Sequence, residues 1–237
     1  RLQRFLGTPL VRNIVGQQRS TLDIRRAMDE RKIVLFDLSG IGVTNAQFLG
    51  SLLTLLYRQA ALSRADTPEG NRVLHVLVMD ECSWFISRTV GEMADQARKF
   101  GLAMVLAAQR LSQLKPADTR DAVFGNVSNI VAFRMGDVAE SIDLAEHLNT
   151  PDLTAVDIRS LGRFEVAAQM LRDGTKLPAF RAQSPPPPRV LGGREARLRR
   201  VLEQSRERYA LPRDVVEAQI AARERLEGDD EPEKRRH

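Results

Sequence analysis

A chain of 237 residues, 43% hydrophobic and 28% charged, is long enough to bury one α/β domain with an appendage, and its composition excludes a wholly disordered polymer. A single cysteine excludes an intrachain disulfide and fits a reducing compartment; no apolar run approaches the roughly 20 residues of a membrane helix, and no signal peptide opens the chain. The net charge of +5 and pI of about 9.9, carried almost wholly by arginine, permit an anionic partner without requiring one.

In chain order, residues 1–18 read as a short helical or irregular lead-in with Pro9 as a breaker. Residues 20–24 suit a short strand, and Asp23 is a candidate N-cap for a brief helix through Glu30, because its carboxylate can accept from first-turn amides. The run Ile33-Val34-Leu35-Phe36-Asp37-Leu38 suggests a buried strand that ends in the turn-prone Ser39-Gly40-Ile41-Gly42. Helical spacing of Phe48, Leu52, Leu55, Leu56 and Gln59 predicts a long amphipathic helix over 44–63, followed by a polar loop over 65–71.

Next comes Val73-Leu74-His75-Val76-Leu77-Val78-Met79-Asp80-Glu81, an apolar run closed by two carboxylates. Its Val and Leu content predicts a strand buried on both faces, hence a parallel sheet between helices. A helix is expected over 90–100, stopped by Gly101 in the left-handed conformation that glycine tolerates best. Residues 102–108 make a third buried strand closed by Gln109-Arg110, residues 118–125 a short helix, and residues 129–134 a fourth strand ending in Arg134. Residues 137–148 are helical, Thr150-Pro151 opens another brief helix, and Asp173-Gly174 supplies the positive φ values of a tight hairpin between 163–171 and 176–182. Alternating strands and helices predict a right-handed βαβ array, an α/β fold with a parallel sheet flanked by helices, up to about Ala182.

The composition then shifts. Ser184-Pro185-Pro186-Pro187-Pro188 marks a stiff linker, assigned to 183–193. An Arg-rich helical tail over 194–228 follows, with Leu198, Val201 and Leu202 as its only apolar stripe in the first helix and Pro212 opening the second. Its first helix is either solvated, packed on a partner or in contact with phosphates. The charged end, 229–237, is expected to be disordered.

Three predicted strands thus end in polar groups that nucleotide chemistry uses: Asp80-Glu81, Gln109-Arg110 and Arg134. In a parallel array these ends share one edge of the sheet, where open α/β sheets bind ligands. A first carboxylate can help hold Mg²⁺ and a second can orient or deprotonate water; a glutamine can sense a γ-phosphate, and an arginine can stabilise charge on the transferring phosphoryl.

The segments 76–81, 97–102 and 106–110, with 33–39, 45–53, 129–137 and the tail from Ser205, resemble the FtsK/HerA superfamily of ring-forming DNA motors, closest to the coupling ATPases of conjugation and type IV secretion (the TraG/TraD-like group). The resemblance implies a RecA-like P-loop ATPase domain, of which 1–182 would be the C-terminal portion. It implies ATP and Mg²⁺ as cofactors, with Asp80 holding Mg²⁺, Glu81 the water and Gln109 the sensor and nucleotide contact. Arg134 would be the inter-subunit arginine, with Arg110 as second choice. It further implies DNA as the substrate, a homo-hexamer, secretion-channel or relaxosome partners, and a place in the bacterial cytoplasm, at the inner membrane through an N-terminal part outside this sequence. No residue is singled out for DNA contact.

One feature departs from that family. The phosphate-cradling loop G-x-x-x-x-G-K-[ST] does not occur, and no glycine is followed by lysine. In the family this loop lies N-terminal to these motifs, and a chain opening on Arg1 is expected to be a piece beginning after it, inactive by itself. Cys82 reads as a small packed residue, Trp84 and Phe85 as core or interface aromatics, His75 as a core histidine, and neither His147 nor His237 has metal-ligand partners at useful spacing. Besides the motor, two readings stay open: a non-catalytic RecA-like module that binds DNA or proteins, and a metal-dependent nuclease using Asp80 and Glu81, for which no further acid cluster is apparent.

Overall fold

The computed structural model describes residues 7–85, 88–115, 117–190 and 192–229, without the side chains of residues 88, 95, 118 and 226–229. It divides into two compact units, one formed by Arg1–Leu49 with Val190–His237 and the other by Gly50–Arg189. No helix among the described residues is long and apolar enough to cross a membrane.

The first unit is helical where it is described as regular. Helix α1 (Pro9–Val15) has Pro9 at its start, so the proline opens the helix instead of breaking it; a first-turn residue needs no backbone N–H, and proline's fixed φ suits that position. Residues 20–24 form no strand. Asp23 caps α2 (Ile24–Asp29), its side chain accepting from the Arg26 amide as the sequence anticipates. Ile33–Leu38 is not a strand either: among the described residues it has no ladder partner, and Ile33 and Leu35 are 91% and 81% exposed. A run of apolar residues becomes a strand only where a neighbouring edge satisfies its amides, and none does so here. Buried Val11, Val216 and Ile220 lie on α1 and on a later helix that contacts it, and Asn13 Nδ2 donates to Glu217 Oε1 at 3.0 Å.

Helix α3 (Val43–Ser63) matches the expected amphipathic segment and continues into the second unit. There β1 (His75–Met79) and β2 (Leu102–Leu106) pair in parallel, with His75 opposite Leu102 and Met79 opposite Leu106. Helix α4 (Arg88–Gln96) and a 3₁₀ turn (Ala97–Phe100) link them, and Gly101 ends that turn at φ 73°, as the glycine signal predicts. The expected burial of β1 on both faces is not met. His75 and Leu77 are partly covered and Met79 is buried, but Val76 and Val78, which share the opposite face of the strand, are 48% and 63% exposed, because that face is left uncovered.

Helix α5 (Ala117–Asn126) packs on α4. Strand β3 (Ile130–Ala132) does not extend the parallel pair. It joins a separate antiparallel sheet, β3-β4-β7, with β4 (Glu165–Gln169) and β7 (Phe180–Gln183). Between β3 and β4 lie α6 (Val138–Leu148), capped by Asp137, and α7 (Ala155–Ser160), which Thr154 opens with a capping box instead of Thr150-Pro151. The short strands β5 (Leu171–Arg172) and β6 (Thr175–Lys176) form the anticipated hairpin, with Asp173 and Gly174 at φ 50° and 80°. The α/β class therefore holds, with two parallel strands flanked by helices and a second, antiparallel sheet.

After residues 184–190, which have no regular structure, come α8 (Arg194–Tyr209) and α9 (Arg213–Asp229), the latter beginning one residue after Pro212. Most of the end expected to be disordered lies outside the described residues, as does His237.

A candidate hydrolytic edge at the ends of two parallel strands

The ladder of β1 and β2 runs past its last paired residues: the Ala107 amide donates to the Met79 carbonyl at 3.0 Å and the Cys82 amide to the Ala107 carbonyl at 2.9 Å. These two bonds fix the chain on either side of Asp80-Glu81 against the chain leading into Gln109-Arg110. Beneath them Met79, Cys82, Val90, Leu114 and Val123 form a buried cluster, and the Thr54 hydroxyl of α3 reaches the Met79 sulfur at 3.8 Å. The acids stand on a packed floor.

Glu81 has φ 50° and ψ 44°, the left-handed conformation that non-glycine residues seldom adopt. Backbone strain of this kind gathers at functional sites, where the surrounding structure holds it in place. Its amide donates to Asp80 Oδ1 at 3.1 Å. Asp80 is exposed and Glu81 half-buried. The Gln109 carboxamide, from the end of β2, donates through Nε2 to Glu81 Oε1. Three of the predicted residues, Asp80, Glu81 and Gln109, are thus brought together, and Arg110 follows directly, exposed to solvent.

Arg134 is a correction to the single-edge expectation. It lies two residues beyond β3, exposed, on the antiparallel sheet and not on the edge shared by β1 and β2. Three-residue β3 finds its partner in β4, so the fourth apolar run pairs with the later hairpin and not with β2.

Two residues that the sequence reading passed over hold the loop after Arg110. The Ser112 amide donates to Glu140 Oε1 at 3.0 Å, while the Glu140 amide donates to the capping Asp137 at 3.1 Å. Leu111 packs against both buried clusters of this unit, the one below the acids and the one formed by Leu144, Leu148, Leu153 and Ile158. The signal for Glu140 was present as Asp-x-x-Glu at the start of a helix, the spacing of a capping box.

Cys82 is buried beside the acids, and burial, with a smaller contribution from Glu81 and Asp80, pushes its thiol up to about 11. It is a protonated packing residue and no nucleophile. His75 stacks on Tyr57 with ring centroids 5.7 Å apart, and burial with the nearby Arg64 lowers its pKa, which favours the neutral ring of a core histidine. Phe85 lies over Gly50 of α3, whereas Trp84 is 41% exposed. Among the described residues no group of three or more His, Cys, Asp or Glu side chains could hold a metal ion. Exposed Asp80 therefore suits a hard cation that keeps most of its ligands as water and phosphate oxygens, as Mg²⁺ does, and does not suit a cation caged by protein.

No protein-family model and no curated protein matches the chain. Among solved structures it is similar to the bacterial conjugative coupling protein TrwBdeltaN70, with 14% identity and a TM-score of 0.49 over 60% of this chain and 37% of that one. The plasmid coupling protein TrwB in complex with the non-hydrolysable GTP analogue GDPNP gives 16%, 0.45, and 58% and 38% coverage. B204, the DNA-packaging ATPase from Sulfolobus Turreted Icosahedral Virus, gives 15%, 0.45, and 71% and 73%. The chain spans 37% of the length of the first coupling-protein structure.

Proposed function

We propose that this chain carries the hydrolytic edge of an ATP-driven DNA translocase of the coupling-protein kind. The observation that supports it best is the hydrogen bond from Gln109 to Glu81, which ties the ends of two adjacent parallel strands beside Asp80. Gln109 occupies one lobe of the Glu81 carboxylate, leaving Oε2 to accept a proton from water. The water oxygen then attacks the γ-phosphorus as the bond to the β-phosphate oxygen breaks. Asp80 is the residue that would hold Mg²⁺, directly or through water, and the ion when bound would neutralise phosphate charge. Because Gln109 touches Glu81, a change at the γ-phosphate reaches β2 and, through Leu111 and Ser112, the start of α6.

In this reading the phosphate cradle is supplied by sequence other than these 237 residues, which contain no G-x-x-x-x-G-K-[ST]. Arg134, which follows a strand of the antiparallel sheet and not of the β1–β2 pair, is the arginine offered to a neighbouring subunit of a ring in this reading; Arg110, next to Gln109, is the alternative. A homo-hexamer acting on DNA in the bacterial cytoplasm, with secretion-channel or relaxosome partners, completes the proposal. The missing cradle favours a second reading, a RecA-like module that binds DNA or proteins without hydrolysis.

The test is DNA-stimulated ATP hydrolysis by the full-length gene product beside Glu81→Gln and Arg134→Ala. A fall of at least about 100-fold in Glu81→Gln, the scale of losing a positioned general base, is expected, with a comparable loss in Arg134→Ala mended by mixing with subunits that carry the arginine. Loss in Glu81→Gln alone moves the arginine role to Arg110. No turnover in the intact protein, with DNA binding retained, overturns the motor and leaves the binding module.

A further inference from the structure

We propose that Glu140 is a positioning residue of the hydrolytic edge: its carboxylate fixes the loop after β2 so that the Gln109 carboxamide meets Glu81. Gln109 stands beyond the last ladder bonds of β2, which Ala107 makes to Met79 and Cys82. Its side chain reaches Glu81 from there, across the gap between two strand ends. On the far side of Gln109 the chain is tied again at Ser112, whose amide donates to Glu140 Oε1 at 3.0 Å. Between these two anchors lie Ala108, Gln109, Arg110 and Leu111, and a 3₁₀ turn (Leu111–Gln113) begins at the last of them. A single 3₁₀ turn has poorer hydrogen-bond geometry than an α-helix and depends on its neighbours to stay in place. Leu111 and Leu114 pack into the buried clusters. That contact is non-directional and fixes the depth of the loop, not its rotation. The charge-assisted bond to Glu140 is the directional one.

The Glu140 carboxylate is turned away from the bond its own helix offers. Asp137 and Glu140 have the spacing of a capping box, in which each side chain accepts from the other residue's amide. In α7 such a box is closed: the Asp157 amide donates to Thr154 Oγ1 at 3.3 Å and the Thr154 amide to Asp157 Oδ2 at 2.9 Å. In α6 only half of it is made. The Glu140 amide donates to Asp137 Oδ1 at 3.1 Å, while among the described residues the Glu140 carboxylate accepts from Ser112, 28 positions away in sequence. The helix that carries it is well seated, since Ser141, Leu144 and Leu148 are buried and the Ser141 hydroxyl donates to the Asp137 carbonyl. An acid that served only the helix dipole would need no such aim, because any carboxylate in the first turn does that. A carboxylate on an anchored helix that forgoes its own cap to hold a distant amide serves the loop. Site side chains need such support, having to be held within about 0.5 Å of their working position.

This inference rests on the reading of Glu81 and Gln109 as the hydrolytic pair, and a measurement made without nucleotide keeps the two apart. Proton–nitrogen NMR spectra of the full chain follow the Gln109 carboxamide, identified by its loss in Gln109→Ala; a proton bonded to the Glu81 carboxylate lies downfield of free carboxamides. Three variants separate positioning from helix support. Glu140→Gln keeps an acceptor of the same reach without the charge. Glu140→Asp keeps a charge in the first turn but is one methylene too short for Ser112, and Glu140→Ala keeps neither. The Gln109 proton should stay downfield in Glu140→Gln and move to the free position in Glu140→Asp and Glu140→Ala. Kinetics of the full-length gene product should agree. In Glu140→Asp and Glu140→Ala kcat should fall about 10- to 100-fold with KM for ATP unchanged, the scale of a catalytic group displaced by up to about 1 Å, whereas Glu140→Gln keeps most of it. Circular dichroism checks that each variant is folded. A Gln109 proton at the free position in the unaltered chain, one unmoved in Glu140→Ala, or recovery in Glu140→Asp and not in Glu140→Gln overturns the inference. A full-length protein that turns over no ATP overturns the motor and leaves the spectra to decide what Glu140 holds.

Discussion

Replacing Arg64 with methionine tests how the two parallel strands are held at the end opposite the acids. Arg64 is fully buried, and its Nη1 donates to the carbonyls of Val73 at 2.9 Å and Phe100 at 3.1 Å, with Gly101 at 3.4 Å. The Gly101 carbonyl also accepts from the His75 amide at 2.8 Å, so it keeps a partner when the guanidinium is removed. The carbonyls of Val73 and Phe100 lose theirs. A buried acceptor left unsatisfied costs about 1–3 kcal/mol, giving roughly 2–6 for two. Against this stands the recovered cost of keeping a guanidinium out of water, several kcal/mol in the other direction. Because the methionine stem keeps the packing and each carbonyl had a charged donor, the net expectation is a loss of about 2–4 kcal/mol. The assay is urea unfolding followed by the fluorescence of Trp84, the only tryptophan and a residue of the second unit. The midpoint should fall at constant slope, as a change in stability alone requires. Arg58→Met, which removes a half-exposed pair with Glu92 at 3.0 Å, should cost no more than about 1 kcal/mol. A loss below about 0.5 kcal/mol in Arg64→Met would refute the clamp.

Two further outcomes are expected. Gly50→Ala gains about 1 kcal/mol of helix propensity, but the added Cβ would overlap the Phe85 ring, and such overpacking costs about 1–3 kcal/mol; a net loss in urea unfolding, with a shifted Trp84 emission, is the expected result, and a gain in stability would show that Phe85 moves aside freely. The Cys82 thiol, raised to about 11, is more protonated in the folded chain than in the unfolded one; its contribution to stability is whole below the unfolded value near 9 and is lost as pH rises toward the folded one. Thiol reagents should therefore react slowly at pH 8 unless urea is present, and fast labelling of the native chain at pH 8 would contradict the burial.

The elements legible in the sequence were those with a local cause. Asp23 caps a helix because an aspartate can reach its own first-turn amides; Gly101 and Asp173-Gly174 turn the chain because positive φ suits them. The order of Asp80-Glu81 and Gln109 was legible because each closes a local apolar run, and both of these runs found a partner strand.

Which runs pair with which is decided by distant neighbours, and there the sequence had no vote. Ile33–Leu38 is as apolar as β1 yet stays exposed, because a strand exists only where another edge takes its amides. The run ending in Arg134 joined β4 and β7, so its arginine left the edge where its sequence pattern had put it. The left-handed backbone of Glu81, its bond from Gln109 and the buried clamp of Arg64 involve residues 9 to 37 positions apart. The chain alone determined the helices, the turns and the identity of the acids; tertiary structure decided their company, because hydrogen bonds between strands are satisfied in space and not along the sequence.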